Sequence, residues 1–241
     1  MARFSGWNKM RTDPAWPRVV EPELLDTLSP DDPEACQSRR DLQRVNTWMG
    51  HRPILNGVLV PNEVASVLEI GAGDGTFSLK LARRRQHDWM RPVQLTLLDR
   101  QSLVTQPTKS AFAALGWSVQ TQACDVFAWL TKSNERFDLI YANLFLHHFE
   151  DEELRVLLRL ISQRTSRFAA CEPRRSQRAL QATRLLWLIG CNRVTRNDAR
   201  ISVKAGFCGK ELSALWPDGW TLTERPAGLF SHLFWAQRRS G

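Results

Sequence analysis

From Val64 onward, short β-type apolar runs alternate with amphipathic stretches, the pattern of repeated βα units around a mostly parallel sheet. It predicts strands over residues 66–70, 93–98, 118–123, 137–142 and 167–171, with helices over 76–85, 102–115 and 151–162 between them. Beyond residue 171 the pattern loosens into a helix near 177–189 and a short helix at 210–215. Two further β-like runs, at 220–223 and 229–237, read as an antiparallel hairpin at the sheet edge. Before residue 61 there is no strand-like run, only Pro- and acid-rich sequence followed by a helical stretch over 34–49. The expected organisation is a helical N-terminal extension, 1–61, and a doubly wound α/β domain, 62–241.

Composition adds limits to this picture. The 241 residues, 43% apolar and 24% charged, suffice for one core with additions. Cys36, Cys124, Cys171, Cys191 and Cys208 are dispersed, odd in number and without a close pair at metal-ligand spacing. Neither a disulfide framework nor a metal centre is expected, and a reducing cytoplasm fits. The longest apolar run, 185–189, is too short to cross a bilayer, and the N-terminal residues lack the apolar core of a secretion signal.

Charge changes the picture more. Residues 1–154 carry 17 basic and 20 acidic side chains, net −3, whereas 155–241 carry 16 and 5, net +11. The final third is suited to an anionic small molecule, an acidic carrier protein or nucleic acid, or it is solvated arginine on helix faces.

The strongest chemical signal is Glu69-Ile70-Gly71-Ala72-Gly73-Asp74-Gly75-Thr76, where a strand hands over to a helix. Glycines there let the backbone turn sharply and approach a ligand, and the helix start offers free N–H groups to an anion. The dinucleotide fingerprint requires the third glycine one residue later than Gly75, so a pyrophosphate cofactor, and with it a NAD-linked reductase, loses ground. Glu69, inside the strand end, could meet a cationic ligand group through water. Asp99 closes the second strand at the spacing from which a carboxylate reaches ribose hydroxyls. Asp125 follows the third strand, with Val126 and Phe127 as apolar wall beside it.

Together with Phe137-Asp138-Leu139-Ile140 and the run from Tyr141 to Phe149, these elements resemble class I S-adenosylmethionine-dependent methyltransferases over residues 64–173. The resemblance implies a seven-stranded, mostly parallel sheet and S-adenosylmethionine as cofactor. Residues Glu69, Gly71, Ala72, Gly73 and Gly75 would hold its methionine portion, Asp99 the ribose, and Asp125 with Val126 the adenine. Arg100 would flank the adenine plane, and Asn143 would border the sulfonium.

The Asn-Pro-Pro-Tyr type sequence of amino-group methyltransferases is missing at Asn143. The segment is instead similar to C- and O-methyltransferases of quinone and polyketide pathways, enzymes of secondary metabolism. That implies an aromatic, quinone-like or polyketide-like acceptor, with anionic and carrier-bound forms included. Methyl transfer is an in-line displacement, in which positioning and exclusion of water do much of the work. His147 or His148, one at most, is a candidate base, or both pack the following helix. Trp48, His51 and Arg52 are candidate lid or substrate contacts, as are Arg174 and Arg175 past the fifth strand. An RNA methyltransferase using the basic third is the alternative, and a non-catalytic partner protein is disfavoured by the intact glycines.

Overall fold

The computed structural model describes residues 16–29, 31–56, 64–84 and 92–239. Its strands are β1 (Ser66–Ile70), β2 (Gln94–Asp99), β3 (Ser118–Ala123), β4 (Leu139–Asn143), β5 (Arg167–Pro173), β6 (Trp220–Ala227) and β7 (Ser231–Arg238). They form one sheet in the order β3-β2-β1-β4-β5-β7-β6. β1 to β5 pair in parallel, and the closing β6–β7 hairpin adds antiparallel to β5. The strand order reverses between β1 and β4, which opens a crevice at the carboxyl ends of the strands.

Period-two alternation divides β1 between two cores. Leu68 and Ile70 join α6 (Val126–Lys132), α7 (Asp151–Arg164) and α10 (Glu211–Leu215) on one face. Val67 packs on the other with α3 (His51–Asn56), α4 (Thr76–Arg84) and α5 (Gln106–Ala113). Start signals fit: Asp125 caps α6, Thr105 caps α5, and Glu150 with Glu153 closes a capping box on α7.

A third layer lies over the carboxyl edge and comes from both ends of the chain. α1 (Leu24–Thr27), α2 (Pro33–Trp48) and α8 (Gln177–Thr183) all pack on α9 (Arg193–Ala205). Its seams are polar: Thr195 Oγ1 hydrogen-bonds Ser38 Oγ at 2.9 Å and Asp41 Oδ2 at 3.2 Å, and Asp198 accepts the N–H groups of Leu24 and Leu25, both at 2.9 Å. Arg18 ties the extended segment before α1 to the sheet, bonding the carbonyls of Ala205, His147 and Phe149 and lying over the Phe207 ring. The helix expected over 177–189 breaks after Thr183 and resumes as a 3-10 turn, Leu186–Ile189, while α6 and α9 were not expected at all. Among the described residues no helix is long and apolar enough to cross a membrane.

Candidate active site

The turn after β1 is held by its own backbone. Gly71 and Ala72 donate N–H to the Leu98 carbonyl at 2.9 and 3.1 Å, and Gly73 N–H reaches Asp99 Oδ2 at 2.8 Å. Gly71, at φ +72°, has no room for a side chain, since a Cβ would sit 2.4 Å from the Phe145 ring. Asp99 also accepts the Gln101 N–H at 2.9 Å, so its carboxylate is oriented by two backbone donors before any ligand arrives.

Glu69 is buried beneath this turn. It accepts from the Ser78 hydroxyl, whose oxygen also bonds the Tyr141 hydroxyl. Burial pushes the Glu69 carboxyl up to about 8, with the charges of Asp74 and Asp99 adding to the effect. The group is therefore neutral near pH 7 until a cation stands beside it.

Two connected hollows, of about 240 and 560 Å³, run along the carboxyl edge and share Gly71, Asp99, Arg100 and Leu144. Glu69, Ala72, Gly73, Asn143 and Arg52 line the first, and Asp125, Val126 and His148 the second. Gly75 lies outside both: its N–H closes the turn on Ala72, and a Cβ there would meet Leu97. Asp125 spends Oδ1 on capping α6.

The two histidines sit in different surroundings. His147 is buried, with Nδ1 2.8 Å from Glu172 and Nε2 3.3 Å from Glu23. Burial alone would depress its pKa, but the hydrogen bonds and charges of Glu172 and Glu23 raise it to about 9. With both ring nitrogens held by carboxylates, His147 is placed as the counterion of two buried carboxylates. His148 is half-buried and faces the second hollow, and burial and the neighbouring His147 charge lower its pKa. Although the sequence shows no metal-ligand spacing, Glu23, His147 and His148 bring donor atoms within 4.8 Å of one another.

His51 is fully buried. Its Nδ1 donates to Asn143 Oδ1 at 2.8 Å, burial lowers its pKa to about 4, and Nε2 has no hydrogen-bond partner. The Trp48 side chain lies outside the described residues. Arg175 is buried and lines neither hollow, bonding the Gly206 carbonyl and the Glu211 carboxylate. Arg174 is half-exposed and lines neither hollow.

Sequence reading expected a lid from this stretch through Trp48, His51 and Arg52 but named neither Gln43 nor Asn46 of α2 as a contact. Gln43 donates to Asp74 at 2.8 Å, and Asn46, with a buried and unpartnered Oδ1, lines the first hollow. Also missed was an apolar cavity of about 280 Å³ bounded by α2, α8 and α9. It shares Leu42 and Leu144 with the first hollow. Leu144, in the left-handed region at φ 57°, thus stands between the two spaces.

Comparison with known proteins agrees with this architecture. Residues 67–166 match the family described as Methyltransferase domain. Among solved structures, an O-methyltransferase family protein from Burkholderia thailandensis aligns with a TM-score of 0.61 at 16% identity, over 88% of this chain and 61% of the other. A plantazolicin methyltransferase in complex with SAH aligns with a TM-score of 0.62 at 11% identity, over 87% and 92%. A curated tRNA1(Val) (adenine(37)-N6)-methyltransferase from Enterobacter sp. (strain 638) is 34% identical over 97 residues, 39% of this chain. The chain spans only 38% of that relative's length.

Proposed function

We propose that this chain, a class I S-adenosylmethionine-dependent methyltransferase by its fold and domain match, methylates a small apolar acceptor on carbon or oxygen. The aromatic, quinone-like and polyketide-like classes are the ones to test. The observation that carries the reading is the apolar cavity meeting the cofactor hollow at Leu42 and Leu144. We assign the reaction to the cytoplasm, where the five dispersed cysteines would stay reduced.

The residues present fit the cofactor. A neutral buried Glu69 and the unpartnered Asn46 oxygen suit an ammonium group, and the preset Asp99 carboxylate suits ribose hydroxyls. Arg100, Asp125 and Val126 border the hollow proposed for the adenine. When bound, the cofactor supplies a methyl group on a sulfonium, which passes in line to the acceptor. Asn143, fixed by His51, and Leu144 border the proposed transfer point, and the apolar walls exclude water there. A phenol or enol acceptor would enter with its proton already lost to solvent, since His148 lines the hollow proposed for the adenine and not the acceptor cavity.

RNA methylation is the second reading, favoured by the tRNA-methyltransferase relative and the cationic final third. Incubation with methyl-labelled S-adenosylmethionine, phenolic, quinone-like and polyketide-like acceptors and, separately, total tRNA decides between them. Label in a small acceptor, lost when Ala182→Trp fills the cavity, supports the proposal. Label in tRNA alone, unaffected by that substitution, refutes it.

A further inference from the structure

Residues 173–197 contain six arginines and no acidic residue, and enclose the run Leu185-Leu186-Trp187-Leu188-Ile189. In the fold this run turns in two directions. Leu186 and Ile189 line the apolar cavity, while Trp187 and Leu188 stand 58% and 60% exposed. Leu185 and, from the β6–β7 turn, Leu229 are equally exposed and line a surface groove. That groove leads into the cavity, because Ala182, Leu185 and Phe230 border both. Arg178 and Arg184, exposed at the groove's rim, form no ion pair among the described residues.

Four large exposed apolar side chains, two lining the opening and two on the run that follows Leu185, form the kind of surface a protein in water does not leave bare without use. We propose that this face docks on an anionic lipid bilayer, with Leu185, Trp187, Leu188 and Leu229 entering the headgroup boundary and Arg178 and Arg184 meeting lipid phosphates. Exposed Trp and Leu beside unpaired Arg is the side-chain chemistry of that boundary. The face suits a second copy of this chain poorly, since two acid-free, arginine-rich surfaces repel. An acidic protein would satisfy the arginines but leaves the protruding Trp and Leu without a comparable solvent. Docked in this way, the cavity opens toward the membrane, so a lipid-soluble acceptor enters without crossing water. This last step rests on the cavity being the acceptor site; the docking does not.

Flotation of the whole protein with vesicles tests the docking without any methyl acceptor. Phosphatidylglycerol mixed with phosphatidylethanolamine should carry the protein, and pure phosphatidylcholine should not. The double variant Trp187→Ser/Leu188→Ser should bind about a hundredfold more weakly, and Arg178→Gln/Arg184→Gln about thirtyfold. Both should bind S-adenosylhomocysteine as the parent does, which shows that they are folded. Failure to float, flotation unchanged by the Trp187 and Leu188 substitutions, or capture of an acidic carrier protein on this face in place of vesicles overturns the proposal. Vesicle binding with no transfer to any small acceptor would instead sink the acceptor assignment alone.

Discussion

Replacing His147 by Gln separates a structural from a catalytic histidine. In the parent protein the imidazolium bridges Glu172, which also accepts the Phe145 and Leu146 N–H groups at 3.0 and 2.9 Å, and Glu23. Raising its pKa from 6.5 to about 9 corresponds to about 3 kcal/mol of folding free energy. Because the folded value lies above the unfolded one, that contribution is complete below about pH 6.5 and is lost as pH rises through about 9. The low Glu23 value, about 2, reports the same ion pair from its other end and is not added. His147→Gln leaves two buried carboxylates without their shared cation, a loss of about 3–5 kcal/mol. For a chain of this size that lowers the midpoint by about 6–20 °C. Urea unfolding near pH 6 should show the full difference, and near pH 9.5 the parent should approach the variant. Per folded molecule, methyl transfer should stay within about threefold of the parent, well short of the ~10²–10⁴-fold loss expected on removing a base. Unchanged stability with transfer abolished would refute the counterion role and restore His147 as a base.

Three other outcomes follow from the cofactor hollow. Gly71→Ala should cost about 1–2 kcal/mol for the left-handed backbone and about 1–3 kcal/mol for the collision with Phe145, seen as a lower melting temperature and weaker S-adenosylhomocysteine binding by calorimetry. Asp99→Ala should weaken that binding by about 1.5–3 kcal/mol or more while the circular dichroism spectrum is retained; unchanged affinity would remove Asp99 from the ribose contact. Bringing an ammonium group to Glu69 favours the ionised carboxylate, so near pH 7 binding should release a proton, and near pH 9, above its value of about 8, it should not. Calorimetry in buffers of different ionisation enthalpy measures this, and release that persists in Glu69→Gln would assign the proton elsewhere.

The βα framework was legible because parallel strands, covered on both faces, must be continuous apolar runs, and β1, β2 and β4 are buried along nearly their whole length. The glycine turn was legible because its conformation admits few other residues. What escaped had partners far away in sequence. The inner face of α9 carries Thr195 and Asp198 among Val194 and Ile201, which breaks the apolar stripe. Beside local contacts with Asn192 and Asn197, those polar groups find their partners in Ser38, Asp41 and the N–H groups of α1, more than 150 residues earlier. The His147 network was hidden in the same way, since Glu23 lies 124 residues before it and Glu172 25 after. Local periodicity shows which face of an element is apolar; it cannot show which buried polar residue will meet a complement.

The excess of charge in the final third also takes on meaning only in the fold. Several of its cations are engaged by the protein: Arg175 is buried against Glu211, Arg164 bonds the Leu130 carbonyl, and Arg238, though exposed, lies over Trp220 while bonding the Ser162 carbonyl. Such groups have already exchanged water for protein partners, and a phosphate backbone would have to compete with those contacts. Arg178 and Arg184 have made no such exchange, and they flank a groove lined by Leu185, Leu229 and Phe230, with Trp187 exposed on the same run. The net +11 therefore divides into a share bonded to protein partners, a share exposed elsewhere on the surface, as at Arg159, Arg200 and Arg239, and a share at the cavity mouth. The share at the cavity mouth stands beside exposed leucines and Trp187, neighbours that favour a partner both anionic and greasy.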